Sequence, residues 1–244
     1  MALKRSIKLL LRKVGIEIKR ANIDTLEFKR LSNMLAENYV DTVLDVGANV
    51  GQFSRGLFDE GGYRGTVFSF EPLPDAHRIL ERTAASYTAG GRKWLVAPRT
   101  AVGSNAGSAT FHVAGNGVSS SLLEMSTAHI EAAPDSYTVK HIQVQVSSLS
   151  ELIKDMGVAS TRMFLKVDTQ GTECEVLQGA ADVMDGIVGI KLELSLTELY
   201  SKQKLYNDAD EMVRSLGFKL WDVIPGFRNH RHGRLLQFDG IYFR

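Results

Sequence analysis

Hydrophobic positions along the chain follow two periods that take turns. Residues 42–46 (TVLDV), 66–70 (TVFSF), KWLV and MFLKV are short, nearly unbroken apolar runs that stop at glycine, proline or an acid. That is the pattern of strands buried on both faces of a parallel sheet. Between them DAHRILERTAAS, SELIKDMG and TECEVLQGAADVM repeat apolar residues every three or four positions, as helices with one buried face do. A further helix is predicted from Asp24, where Asp24 and Glu27 have capping-box spacing and Leu26, Leu31, Leu35 and Tyr39 follow. KWLVAPRTAVGS reads as the third strand and its exit loop. GSATFHV and HIQVQV instead alternate apolar with polar, which predicts half-exposed antiparallel strands, and IVGIKLELSL reads as a long strand. FKLWDVI and RLLQFDGIYFR predict a final pair joined through PGFRNHRHG. Strands alternating with helices imply an α/β fold: a Rossmann-like, doubly wound, mostly parallel sheet with an antiparallel terminal strand. The domain is assigned to residues 41–244, with residues 1–40 as an N-terminal helical extension.

Composition narrows this little. The chain has 244 residues and a formal net charge of +1, so no global field argues for nucleic acid as a substrate. Cys174 is the single cysteine, which excludes an intrachain disulfide and fits a reducing compartment. No apolar run reaches the roughly 18 residues of a membrane span. The first twenty residues lack the features of a signal peptide, so a cytoplasmic location is expected. They do show one apolar face (Leu3, Ile7, Leu10, Leu11, Val14) surrounded by Lys4, Arg5, Lys8, Arg12 and Lys13. Such a helix packs on the domain or on a second subunit of a homo-oligomer. Alternatively, it lies on the anionic inner face of a membrane.

The stretch VLDVGANVGQFSRGL carries more chemistry. Its spacing is Gly47-x-x-x-Gly51, not the G-x-G-x-x-G of dinucleotide sites, and Asn49 replaces the middle glycine. Asp45, just before the turn, would repel a pyrophosphate and attract an ammonium or sulfonium. Glu71 closes the next strand, where an acid can accept hydrogen bonds from both hydroxyls of a ribose. A cationic amino-acid moiety joined to a ribose without phosphate describes S-adenosylmethionine. The plainer alternative is a glycine turn that only permits tight packing and an Asp that only caps a helix.

Two predicted central strands are polar on one face. Lys166 and Asp168 share a face, as do Lys191, Glu193 and Ser195. These are either structural ion pairs or a catalytic wall. In the second case Asp168 and Glu193 take a proton from an acceptor hydroxyl or hold a divalent ion such as Mg²⁺. Gln170 extends the same loop. His230 and His232 offer a base or merely a basic hairpin. His77, His112, His129 and His141 show no metal spacing, and Cys174 reads as packing. Ser119, Ser120 and Ser121 touch a ligand or form a flexible turn.

VLDVGANVGQFS, FSFEPLPDAHRIL, TAVGSNAGSATFHV, SSSL and FLKVDTQGTECEVLQGA, in that order, resemble the FkbM-type methyltransferases, class I enzymes that use S-adenosylmethionine. The resemblance covers roughly residues 40–200. It implies methylation of a hydroxyl on a sugar, glycolipid or polyketide-like acceptor. It implies that Asp45, Gly47, Ala48, Asn49, Gly51 and Phe53 surround the methionine part of the cofactor. Glu71 and Pro72 would hold the ribose, Ala101 and Val102 would flank the adenine, and Asp168 would lie by the reacting centre. The rival readings are a nucleotide-dependent oxidoreductase, against which the glycine spacing and Asp45 argue, and a non-catalytic binding protein on a degenerate methyltransferase fold.

Overall fold

The computed structural model describes Leu11, Lys13, Gly15, Ile23 and residues 25–244. The basic helix expected over residues 1–20 and the Asp24 cap therefore fall almost wholly outside the described residues. The strands are β1 (Thr42–Val46), β2 (Thr66–Phe70), β3 (Lys93–Val96), β4 (Ala101–Gly103), β5 (Gly107–Ala114), β6 (Thr138–Ser148), β7 (Met163–Val167), β8 (Ile187–Ser195), β9 (Lys219–Pro225) and β10 (Gln237–Phe243). The helices are α1 (Glu27–Glu37), α2 (Gln52–Asp59), α3 (Pro74–Ala89), α4 (Thr127–Ala132), α5 (Leu149–Asp155), α6 (Glu173–Gly179) and α7 (Tyr206–Ser215).

The main sheet runs β3-β2-β1-β7-β8-β10-β9. β1, β2, β3, β7 and β8 are parallel, and β10 is antiparallel to both its neighbours. This is the expected Rossmann-like arrangement. The apolar runs are explained by their alternation. Val43, Val67, Phe164 and Ile241 face one cluster with Leu31 and Leu35 of α1, Phe53 and Leu57 of α2, and Leu80 of α3. Leu44, Phe68, Leu165 and Tyr242 face the other, with Leu152 of α5, Leu177 of α6 and Val213 of α7. Because Leu31 and Leu35 sit in the same core as the central strands, α1 is built into the body of the domain.

Four local expectations change. First, α1 begins at Glu27 with Leu26 at its N-cap and no side-chain cap. Second, the exit loop after β3 holds β4, which pairs with β6 rather than with the main sheet. Third, β5 and β6 are antiparallel as their alternation predicts, but with β4 they make a separate sheet, ordered β4-β6-β5. Fourth, the helix predicted over TECEVLQGAADVM stops at Gly179 and continues as a 3-10 helix, Ala181–Gly186. Gly179 lies so close to β4 that a Cβ there would stand 2.0 Å from the Gly103 carbonyl oxygen. α7 lies in a stretch without a predicted element. Among the described residues no helix is long and apolar enough to cross a membrane.

The strand order reverses between β1 and β7, the place where sheets of this kind open a crevice beyond the carboxyl ends of their strands. The small sheet and the loop after β5 supply that crevice's other wall, through Phe111, Val118, Ser120 and Leu122.

Candidate active site

The crevice is a cleft of about 350 Å³. Its floor is the turn after β1. Gly47 takes a left-handed φ of 71°, and a Cβ there would stand 1.9 Å from the Asp168 carbonyl oxygen. Gly51, at φ 88°, caps α2, and its Cβ would meet the Trp94 ring at 2.7 Å. Both glycines are thus required by packing as well as by the turn. The turn is tied down by Glu71. Asn49 N–H donates to Glu71 Oε2 and Leu73 N–H to Oε1, each at 2.8 Å. Burial pushes the Glu71 carboxyl above its usual range, although those two N–H groups and Lys166 pull the other way.

Asp45 is not on the cleft wall. It is fully buried, and its Oδ2 accepts the Ser54 hydroxyl at 2.7 Å. Its Oδ1 lies 3.0 Å from Lys166 Nζ, the residue opposite it in the β1–β7 register. The expectation of direct contact with a ligand is corrected: this acid lies under the floor and acts on the cleft through Lys166. Lys166 also donates to the Gly47 carbonyl at 2.9 Å and lies 3.8 Å from Asp168 Oδ2. Burial works against its charge, but Asp45 and Asp168 outweigh that and hold its pKa above the ordinary lysine value. Lys191 pairs with Asp239 at 2.8 Å and Glu27 at 3.6 Å, not with Glu193. The two ammonium groups flank the Phe53 ring, 5.7 and 5.5 Å from its centroid.

At the reacting end, Gln170 is the central residue. Its Nε2 donates to Asp168 Oδ1 and to Glu193 Oε2, both at 2.7 Å. Its Oε1 accepts the Tyr200 hydroxyl at 2.7 Å, and its backbone carbonyl accepts Ser121 Oγ–H at 2.7 Å. A left-handed φ of 59° aims it there. Glu193 is half-buried behind Gln170 and does not line the cleft, whereas Asp168 does. The same Tyr200 hydroxyl lies 3.0 Å from the Ser119 carbonyl, so its one proton is shared between two acceptors. Removing that hydroxyl (Tyr200→Phe) takes away the donor they share. Chemical denaturation should show a loss of about 1–3 kcal/mol; an unchanged midpoint would mean that water replaces the hydroxyl.

Nine of the twelve site residues expected from sequence line the cleft: Gly47, Ala48, Asn49, Phe53, Glu71, Pro72, Ala101, Val102 and Asp168. Asp45, Gly51 and Glu193 stand behind it for the reasons given. Ser120 lines it, while Ser119 and Ser121 hold Tyr200 and Gln170. The polar strand faces are therefore both ion pairs and cleft wall. His230 and His232 are exposed on the β9–β10 connection, away from the cleft lining. His77 bonds the Ala97 carbonyl, and His112 packs edge-on against His141 across β5 and β6. His129 is buried against Tyr200, and burial lowers its pKa to about 4. Cys174 is buried, with its thiol pushed up to about 12, first by burial. Among the described residues no group of His, Cys, Asp or Glu is placed to hold a metal ion. Phe28, Phe111 and Leu122 were not among the expected site residues. Only the alternation phase of GSATFHV, which puts Phe111 on the apolar side, gives a signal for one of them.

Comparison with known proteins bears on this cleft. The family described as "Methyltransferase FkbM domain" matches residues 45–220. Methyltransferase 1 of Beauveria bassiana (strain ARSEF 2860) is 24% identical over 190 residues, which cover 72% of this chain and 71% of that protein. Methyltransferase FkbM from Methylobacillus flagellatus KT aligns with a TM-score of 0.48 and 16% identity over 84% of this chain. The chain spans only 44% of that protein's solved length. Magnesium protoporphyrin IX methyltransferase from Synechocystis PCC 6803, solved with bound S-adenosylmethionine, aligns with a TM-score of 0.47 and 10% identity, over 99% of this chain and 96% of that one. The family match runs from Asp45 at the end of β1 into β9 and takes in every cleft-lining residue except Phe28: the chain belongs to the FkbM methyltransferase family.

Proposed function

We propose that the chain is an S-adenosylmethionine-dependent O-methyltransferase acting on a hydroxyl of a sugar, glycolipid or other small acceptor. The observation that carries this reading is one cleft with Glu71 at the end of β2 and Asp168 at the end of β7, on either side of the Gly47–Asn49 turn. The residues fit the cofactor. Each Glu71 oxygen accepts a single N–H, which leaves a lone pair on each for a ribose hydroxyl. Phe70, Val102 and Phe111 form an apolar wall suited to an adenine. Asp168 is a carboxylate near the reacting end, where positive charge is favoured.

When bound, the cofactor supplies an electrophilic methyl carbon on a sulfonium. The chain's own work is chiefly to hold acceptor and methyl donor in line. Asp168 takes the proton of the acceptor hydroxyl, and Gln170 fixes the orientation of its carboxylate. A carboxylate base suits a hydroxyl, whose proton must leave as the C–O bond forms; a neutral amine attacks with its own lone pair. Glu193 does not touch the acceptor; it holds Gln170 from behind. Phe111 and Leu122 keep water from the donor side. The many basic residues among positions 1–20 support a membrane-near, lipid-linked acceptor.

Calorimetric titration with S-adenosylhomocysteine tests the cofactor reading. The wild type is expected to bind. Glu71→Gln is expected to weaken binding about tenfold or more, since hydrogen bonds to a charged group contribute about 1.5–3 kcal/mol. Circular dichroism would confirm that the variant is folded. Equal affinity in the two proteins would remove Glu71 from the ribose site, and no binding by the wild type would overturn the reading.

A further inference from the structure

The carboxylates at this end of the sheet outnumber the cations that meet them. Lys166 is shared by Asp45 and Asp168, and Lys191 by Asp239 and Glu27. Among the described residues Glu193 has no ion-pair partner. Its neighbours carry its own sign: Asp239 stands opposite it in the β8–β10 register, Asp168 shares the Gln170 amide with it, and Glu173 faces it from α6. The Tyr200 hydroxyl, bonded to Gln170, completes the surround. Two amides, Gln170 Nε2 at 2.7 Å and Gln237 Nε2 at 2.8 Å, both donate to Oε2 and favour the ionised form, but neither is a cation and neither reaches Oε1. Burial first, then Asp168, Glu173 and Asp239, hold the Glu193 carboxyl well above the usual range, and Lys166 only partly opposes them. Glu173 is raised too, to about 7, chiefly by burial. Its Oε1, however, accepts Thr169 N–H, Thr169 Oγ1–H and Gly171 N–H, which favour the ionised form.

Resting on the cofactor reading above, we propose that Asp168, Gln170 and Glu193 form a proton-linked cation site: Glu193 keeps a proton while the cleft holds no cation and releases it to solvent when a sulfonium enters. The cluster would then distinguish the two forms of the cofactor by charge. S-adenosylmethionine is a cation at sulfur, whereas S-adenosylhomocysteine is a neutral thioether. Once the methyl group has left and the sulfonium charge is gone, the cluster again favours a proton, and the acceptor hydroxyl supplies it. The proton thus passes from hydroxyl to carboxylate within the site.

The test needs no acceptor. Both ligands are titrated calorimetrically into the full chain in two buffers of different ionisation enthalpy. The pH is about 6.5, below the titration range of an α-amino group. S-adenosylmethionine is expected to release a sizeable fraction of a proton more than S-adenosylhomocysteine. Its affinity should rise with pH by up to about tenfold per unit, the limit for one proton, while that of S-adenosylhomocysteine changes less. Glu193→Gln should abolish the difference, and Glu173→Gln should preserve it. Equal proton release by both ligands, or a difference that survives Glu193→Gln, overturns the inference but leaves the cofactor reading standing. Should Glu193→Gln fail to fold, the wild-type comparison decides alone. Binding of neither ligand overturns both.

Discussion

Replacing Lys166 with methionine is expected to lower the free energy of unfolding by about 3–5 kcal/mol, the cost of leaving a buried charge without its partner. The charge is Asp45, fully buried at the penultimate position of β1. Its other polar partner is Ser54, which continues through Ser69 Oγ at 3.4 Å to Trp94 Nε1 at 2.9 Å. That chain of neutral groups cannot replace a cation. The substitution also frees the Gly47 carbonyl that Lys166 binds from below, so the cleft floor loosens with the core. Chemical denaturation of the single variant and of Asp45→Asn/Lys166→Met checks the argument. Removing both charges should recover much of the loss, because a buried pair and its neutral replacement differ far less than a pair and half a pair. A single variant as stable as the wild type would show that Asp45 does not depend on Lys166.

Gly47→Ala is expected to be nearly as damaging. The added methyl would meet backbone, the Asp168 oxygen at 1.9 Å and its carbonyl carbon at 2.8 Å. That backbone cannot step aside, since Asp168 N–H is bonded to the Val46 carbonyl in the same ladder. The clash adds about 1–3 kcal/mol to a left-handed φ that costs a side chain about 1–2 kcal/mol. Gly62→Ala is the control. Its φ of 73° is almost the same, yet nothing lies within 4 Å of the added carbon. The difference between the two denaturation midpoints measures the approach of β1 to β7. Equal midpoints would show that the approach is not tight.

The sequence reveals the elements more readily than their partners. β1 and β2 are legible as nearly unbroken apolar runs, and β7 and β8 as strands with one wholly apolar face, a property of each strand alone. The alternation of β5 and β6 says that they are half exposed, not that they leave the main sheet. β4 is three residues long, too short for any period to show. The same limit governs the site. Glu71 and Asp168 are legible as acids at strand ends. That Asp45 is sealed beneath the floor depends on its standing opposite Lys166, and that Lys191 turns from Glu193 to Asp239 depends on where β10 inserts. Register between distant strands is a tertiary fact that no local window contains.

The insertion of β10 between β8 and β9 also dictates an order of events during synthesis. β9 is made before β10 but touches the sheet only through it. Until Gln237–Phe243 has left the ribosome, β8 presents an open edge and β9 has nothing to pair with. β9 must therefore wait, while the strands from β3 through β8 can pair without it. For that interval the nascent chain carries a bare strand edge, the feature that chaperones shield and that misassembly exploits.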